Sequence, residues 1–218
     1  MSAGNPFLEK ASVGDPNLSI DNAQWWLLFA ILVANKGAEI TEKKLVALLE
    51  MVKYGSPFHR IRGIAIIPGG LDYALRKVKT GQYKRVEKAL CYVADPRHKS
   101  GFPEDPRTVT LEQLLAVPGI GPKTAKWYYQ LLHPAAYVAA LDTHVLKFLR
   151  DQGIPNVPKN TPPEGPTYKR LEAEFILLCT RTGLTPRDLD FFVWSVYREG
   201  GKVLLPQRAR TEAPPHHD

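Results

Sequence analysis

Apolar positions recur along most of this chain at helical spacing, separated by short polar stretches rich in proline and glycine. Residues 22–35 (NAQWWLLFAILVAN) are apolar almost all round, the pattern of a helix at the centre of a core. Thr41 is placed to cap a second helix through Leu45, Val46, Leu48 and Leu49. The stretch 55–70 contains a β-branched run (IAIIPGG) that reads either as an extended segment or as a buried loop. Helices follow over 71–79 and, after Gly81, over 83–93. Residues 95–109 form a polar, proline-rich connector.

Thr110-Leu-Glu-Gln113 then gives a capping-box pattern for a short helix ending near Val117. Pro118-Gly-Ile-Gly121 makes a tight turn, and Pro122 stands where the first residue of another helix belongs, running to about Leu132. Asp142 is an N-cap for 143–150, residues 151–166 are a proline-rich loop, and two last helices span 167–182 and 186–198. The fold class is all-α. No internal repeat is visible.

Composition narrows this modestly. The 218 residues suffice for one domain or two small lobes. Twenty-nine Lys and Arg against 22 Asp and Glu leave a net charge of +7, which favours a polyanionic partner. The longest apolar run, Trp25 to Ala34, is too short to span a bilayer, and the N-terminus lacks a signal pattern. The expected location is therefore the cytoplasm with its nucleoid, or a nucleus where there is one. Cys91 and Cys179 are read as two buried thiols, unable by themselves to hold a four-thiolate zinc or iron–sulfur centre.

Candidate chemistry lies in LEQLLAVPGIGPKTAKWYYQLL. Gly119 and Gly121 let the backbone turn sharply. Their N–H groups, with the first turn of the next helix, can point at one phosphate of a duplex, a contact that carries no sequence information. Thr124 and Lys126 are the side chains placed to join it. Lys123 sits at the second helical position, where the positive potential of the helix end favours the neutral amine that attack on a carbon electrophile needs. Asp142 follows nineteen residues later in AALDTHV, far enough for the chain to finish one helix and return beside its start. One carboxylate oxygen can cap the helix while the other stabilises positive charge on a sugar. Trp25, Trp26, Phe191 and Trp194 are read as core aromatics and left out of the site.

VPGIGPKTA followed by LDTHV resembles the signature of the helix-hairpin-helix (HhH-GPD) DNA glycosylase superfamily, endonuclease III-like group, over roughly residues 22–200. The resemblance implies that Lys123 is a Schiff-base lysine, Asp142 the catalytic aspartate, and Gly119 and Gly121 the phosphate-binding hairpin. It places Asn35 and Gln82 where relatives carry residues that fill the gap left by a flipped base. It implies a six-helix unit over 22–133 and a second helical lobe from 1–21 plus 134–201, with a DNA-binding cleft between them; residues 202–218 would be a disordered tail.

With no cysteine after Val203, the iron–sulfur cluster of many relatives has no ligands, and Arg208 and Arg210 would supply the lost DNA contacts. No cofactor or catalytic metal is implied, though hairpin carbonyls in relatives hold a structural cation. The expected activity is removal of a damaged or mismatched base from double-stranded DNA by a monomer, with strand nicking by β-elimination. The alternatives are a monofunctional glycosylase, a base-modifying enzyme of the same fold, or a non-catalytic DNA-binding module.

Overall fold

The computed structural model describes residues 18–33, 37–94 and 100–205. Among them every regular element is helical: α1 (Ile20–Val33), α2 (Ala38–Leu49), α3 (Pro57–Ala65), α4 (Gly70–Lys77), α5 (Tyr83–Val93), a 3₁₀ turn (Pro106–Thr108), α6 (Leu111–Leu115), α7 (Pro122–Leu132), α8 (Thr143–Asp151), α9 (Pro166–Thr182) and α10 (Pro186–Arg198). No helix among the described residues is long and apolar enough to cross a membrane.

The buried side chains fall into two separate hydrophobic clusters. The first runs from Leu18 to Leu131 and is organised around α1, buried continuously from Ala23 to Leu32. Each Leu or Ile there contributes about 1.5–3 kcal/mol by leaving water. The second runs from Ala139 to Val203 and is built from α8, α9 and α10. Buried Gln24 crosslinks the first cluster: its amide donates to the Glu104 carbonyl at 2.9 Å and accepts from Phe58 N at 3.0 Å. A buried polar side chain satisfied at both ends fixes how α1, α3 and the connector meet.

Most helix starts are where their local signals put them. Thr110 and Gln113 form a reciprocal capping box at α6, Thr185 caps α10, and Asp142 caps α8 through His144 N and Val145 N, both at 2.8 Å.

Several expectations are corrected. Helix α2 begins at Ala38 after Gly37, and Thr41 lies inside it with its hydroxyl donating to the Gly37 carbonyl at 2.9 Å. Residues 57–65 are helix α3, which takes in the start of the run 64–70 read as extended or buried loop: Ser56 caps it, Pro57 opens it, and Phe58, Ile61 and Ile64 are buried at helical spacing. The cap and the three-residue apolar period outweigh β-propensity here, and Ile66 and Ile67 end up exposed beyond the helix.

Leu18, assigned by resemblance to the second lobe, packs in the first cluster, its carbonyl accepting from Arg107 at 3.2 Å. Residues 202–205 are not a loose tail. Val203 is buried against the second cluster, and the Gln152 amide bonds both the Val203 carbonyl (2.7 Å) and Leu205 N (3.1 Å). Cys91 is exposed; only Cys179 is buried. Asn35, Arg208 and Arg210 lie outside the described residues.

Candidate active site and nucleic-acid interface

The hairpin between α6 and α7 is closed by Ile120 N donating to the Val117 carbonyl at 3.1 Å, with Ile120 tucked into the core. Gly119 and Gly121 are exposed on either side of it. The N–H groups of Gly119, Gly121, Lys123 and Thr124 meet no acceptor among the described residues. Four free donors at the N-terminus of an eleven-residue helix make an anion cradle.

The two glycines differ in kind. Gly119 needs its residue type for the fold: its φ is +84°, and a Cβ would stand 2.6 Å from Arg85 Cγ. Gly121 has φ −92°, extended backbone open to any residue, and a Cβ would meet nothing within 4 Å. Nothing inside the molecule requires glycine there.

Arg85 holds the hairpin from behind. Its guanidinium donates to the Gly119 carbonyl (2.8 Å), to the Ile31 carbonyl near the end of α1 (2.8 Å), and to the Gln82 side chain (2.5 Å). Half-burial draws its pKa below the ordinary arginine value. Gln82 is exposed at the cap of α5 with a left-handed φ of +49°. It borders a 390 Å³ concavity lined also by Arg76, Tyr83, Lys84 and Arg85. One buried-side cation thus connects the hairpin, the Gln82 corner and the end of the helix that leads to Asn35.

Lys123 is half-buried at the second position of α7 and makes no hydrogen bond or ion pair with any described residue. Thr124 follows it, also half-buried. Asp142 is half-buried, and both of its capping bonds fall on Oδ1; Oδ2 accepts no hydrogen bond from the described residues.

A third residue responds electrostatically to both side chains. Burial pushes the Asp190 carboxyl, on α10, well above the usual carboxylate range; the charge of Asp142 pushes it the same way, and the ammonium of Lys123 opposes them. Asp190 retains some exposed surface, but its carboxyl sits in dense surroundings. The Asp190 carboxyl thus lies within electrostatic reach of Lys123, on the helix that follows the hairpin, and of Asp142, at the start of α8.

Asp190 was not singled out from the sequence. The available signal was its position one turn before Trp194 on a helix with an exposed aromatic face. Phe191, read as core, is 69% exposed, and Trp194 is half-exposed with Arg198 stacked 4.9 Å from its ring centre. Trp25 and Trp26 are core residues.

Lys126 is a correction. Expected as a phosphate contact, it is buried, with its side chain 4% exposed. Its ammonium bonds Glu172 at 2.8 Å, approaches Glu164 at 3.5 Å and lies 4.1 Å over the Tyr168 ring. It faces the second cluster and not solvent.

Residues 107–126 match the helix-hairpin-helix motif family, which covers the 3₁₀ turn, α6, the hairpin and the first turn of α7. This defines the hairpin as a member of a known motif class. Over most of its length the chain is similar in fold to the 8-oxoguanine DNA glycosylase of Methanocaldococcus jannaschii, as seen in its crystal structure. The TM-score is 0.57 at 21% sequence identity, over 90% of this chain and 83% of that one. No curated protein matches the chain in sequence.

Proposed function

We propose that this protein is a DNA glycosylase of base-excision repair that flips a damaged or mismatched base out of double-stranded DNA and removes it. The observation that carries the reading is a hairpin with four N–H donors unsatisfied among the described residues, running into a helix whose second residue, Lys123, has no ion-pair partner there, with Asp142 capping α8 through one oxygen only. A passive DNA-binding module needs the donors but neither an unpaired lysine at the helix start nor a carboxylate with a spare oxygen. The fold shared with an 8-oxoguanine DNA glycosylase supports the same class and makes 8-oxoguanine the first substrate to test.

In this mechanism the hairpin N–H groups and Thr124 hold a phosphate, and Gln82 and Asn35 fill the gap in the duplex. Unstacking the target costs a few kcal/mol, least for a poorly paired base. Lys123 first gives its ammonium proton to solvent and then attacks C1′ of the extruded nucleotide as the free amine while the C1′–base bond breaks. The departing base takes the bonding pair and a proton, for which Asp190, whose carboxyl holds its proton more tightly than usual, is the candidate donor. Asp142 Oδ2, free of the cap, stabilises the positive charge developing on the sugar.

Loss of a proton from the attacking nitrogen and ring opening give the imine. Removal of a C2′ proton then expels the 3′ phosphate, and water hydrolyses the imine to free the lysine. The enzyme works as a monomer on the DNA of a nucleoid or nucleus, and no step calls on a cofactor.

Borohydride trapping on duplexes carrying 8-oxoguanine, oxidised pyrimidines, and uracil or thymine opposite guanine tests this directly. The expected result is a covalent protein–DNA adduct on at least one lesion, abolished in Lys123→Ala. Base release without an adduct would establish a monofunctional glycosylase. Salt-sensitive binding with no base release from any duplex would overturn the enzymatic reading.

A further inference from the structure

The residue that sequence reasoning assigned to DNA faces the opposite way, and its partners lead to the catalytic carboxylate. Lys126 lies one turn after Lys123 on α7. Glu172, on α9, accepts from Lys126 Nζ with Oε2 at 2.8 Å and from Ala139 N with Oε1 at 2.7 Å. Tyr168, one turn earlier on α9, lies beneath the ammonium; its hydroxyl donates to the Ala139 carbonyl at 2.8 Å and accepts from Leu141 N at 3.1 Å. Residues 139–141 run directly into Asp142.

An unbroken path of short polar contacts therefore joins the helix of the nucleophile to the segment that presents the carboxylate. We propose that the buried Lys126–Glu172–Tyr168 cluster is a positioning device that sets Asp142 opposite Lys123 across the two hydrophobic clusters. This rests on the glycosylase reading above.

The physical case is one of directionality. Apolar contact between two cores is tolerant of sliding, because hydrophobic attraction follows area and not angle. A buried ammonium has no such latitude. Taken from water it needs its partners close and well oriented, and it fixes register where apolar packing would not. Glu172 spends one oxygen on each side of the junction, so moving either side breaks a charge-assisted bond. Burial keeps the Tyr168 phenol protonated far above neutrality, so it remains a donor to Ala139. The cluster touches neither the sugar nor the base; it acts through Asp142.

The test uses the full-length protein with Lys126→Met, Glu172→Gln and Tyr168→Phe. Tyr168→Phe keeps the ring under the ammonium and the Lys126–Glu172 pair while removing only the hydroxyl that holds 139–141. Single-turnover base excision is measured at a temperature where each variant is folded by circular dichroism. It is paired with the Kd for a duplex bearing a tetrahydrofuran abasic analogue and with borohydride trapping on a preformed abasic site.

A displacement of about 1 Å costs roughly 100-fold in rate. The expected result is a loss of that order in excision, with Kd within threefold of wild type. Excision within threefold of wild type in Tyr168→Phe and Glu172→Gln would overturn the proposal. So would rate and affinity falling together, the mark of a merely structural role. Failure of the glycosylase reading looks different: wild type itself then neither releases a base nor traps an abasic site, and the positioning role falls with it.

Discussion

Replacing Gly119 with alanine perturbs two features of the hairpin at once, and both can be sized. At φ +84° an alanine pays about 1–2 kcal/mol for left-handed backbone. Its Cβ would also sit 2.6 Å from Arg85 Cγ and 3.1 Å from the Arg85 carbonyl, near the root of the side chain, where retreat means moving the guanidinium. That endangers the 2.8 Å bonds to Gly119 and Ile31. Because Arg85 is only half-buried, each is worth about 0.5–1.5 kcal/mol after allowance for water. The expected destabilisation is about 2–5 kcal/mol.

Urea unfolding measures it as a lowered midpoint with unchanged m-value. Fluorescence anisotropy with an abasic-analogue duplex measures the accompanying loss of affinity. Gly121→Ala is the matched control: φ −92° and empty surroundings predict stability within about 1 kcal/mol of wild type, yet weaker binding, because the added methyl stands where a phosphate must approach. If Gly119→Ala left both stability and affinity within about 0.5 kcal/mol of wild type, the account of Arg85 bracing a strained hairpin would be wrong. If Gly121→Ala bound DNA normally, the phosphate would lie elsewhere.

Three further outcomes follow from the same geometry. Asp142→Asn retains an N-capping oxygen, so stability should stay within about 1 kcal/mol while single-turnover excision falls by about 100-fold or more; equal excision would remove Asp142 from the chemistry. Asp190 holds its proton more tightly folded than unfolded, so its contribution to stability is fully present below the unfolded carboxyl pKa of about 3.9 and is lost as pH rises through the higher folded value. Asp190→Asn should accordingly raise Tm at pH 7.5, with the gain vanishing near pH 4, and a Tm difference independent of pH would refute the shift. Arg85→Met should lower affinity for undamaged and lesion duplexes alike, and a selective loss for one lesion in a binding titration would contradict a bracing role.

The sequence carried the local signals well and the long-range ones poorly. Capping at Thr110, Thr185 and Asp142, the proline at the start of α7 and the apolar α1 are set within one or two helical turns, and all are seen as expected. Where a local pattern was ambiguous, tertiary packing decided. The β-branched run at 64–67 is split, with Ile64 buried in α3 and Ile66 and Ile67 in solvent.

Lys123 and Asp142 could be proposed for the site because each stands at a helix start, and both are found there. Lys126 was misread because nothing near it along the chain reveals that Glu172, 46 residues on, neutralises it. Asp190 was missed for the same reason: its significance lies in the charges it faces, which only the fold brings near. Gly121 was given a conformational role that belongs to Gly119 alone.

The division of buried side chains into a larger and a smaller cluster has an operational corollary. The proposed phosphate cradle is built entirely on the larger one, whereas the carboxyl groups at 142 and 190 belong to helices of the smaller. Were the smaller to melt first on warming, the result would be a species that still clings to lesions but has lost the means to excise them. Heat-damaged enzyme would then act as a dominant blocker, shielding its targets from intact copies.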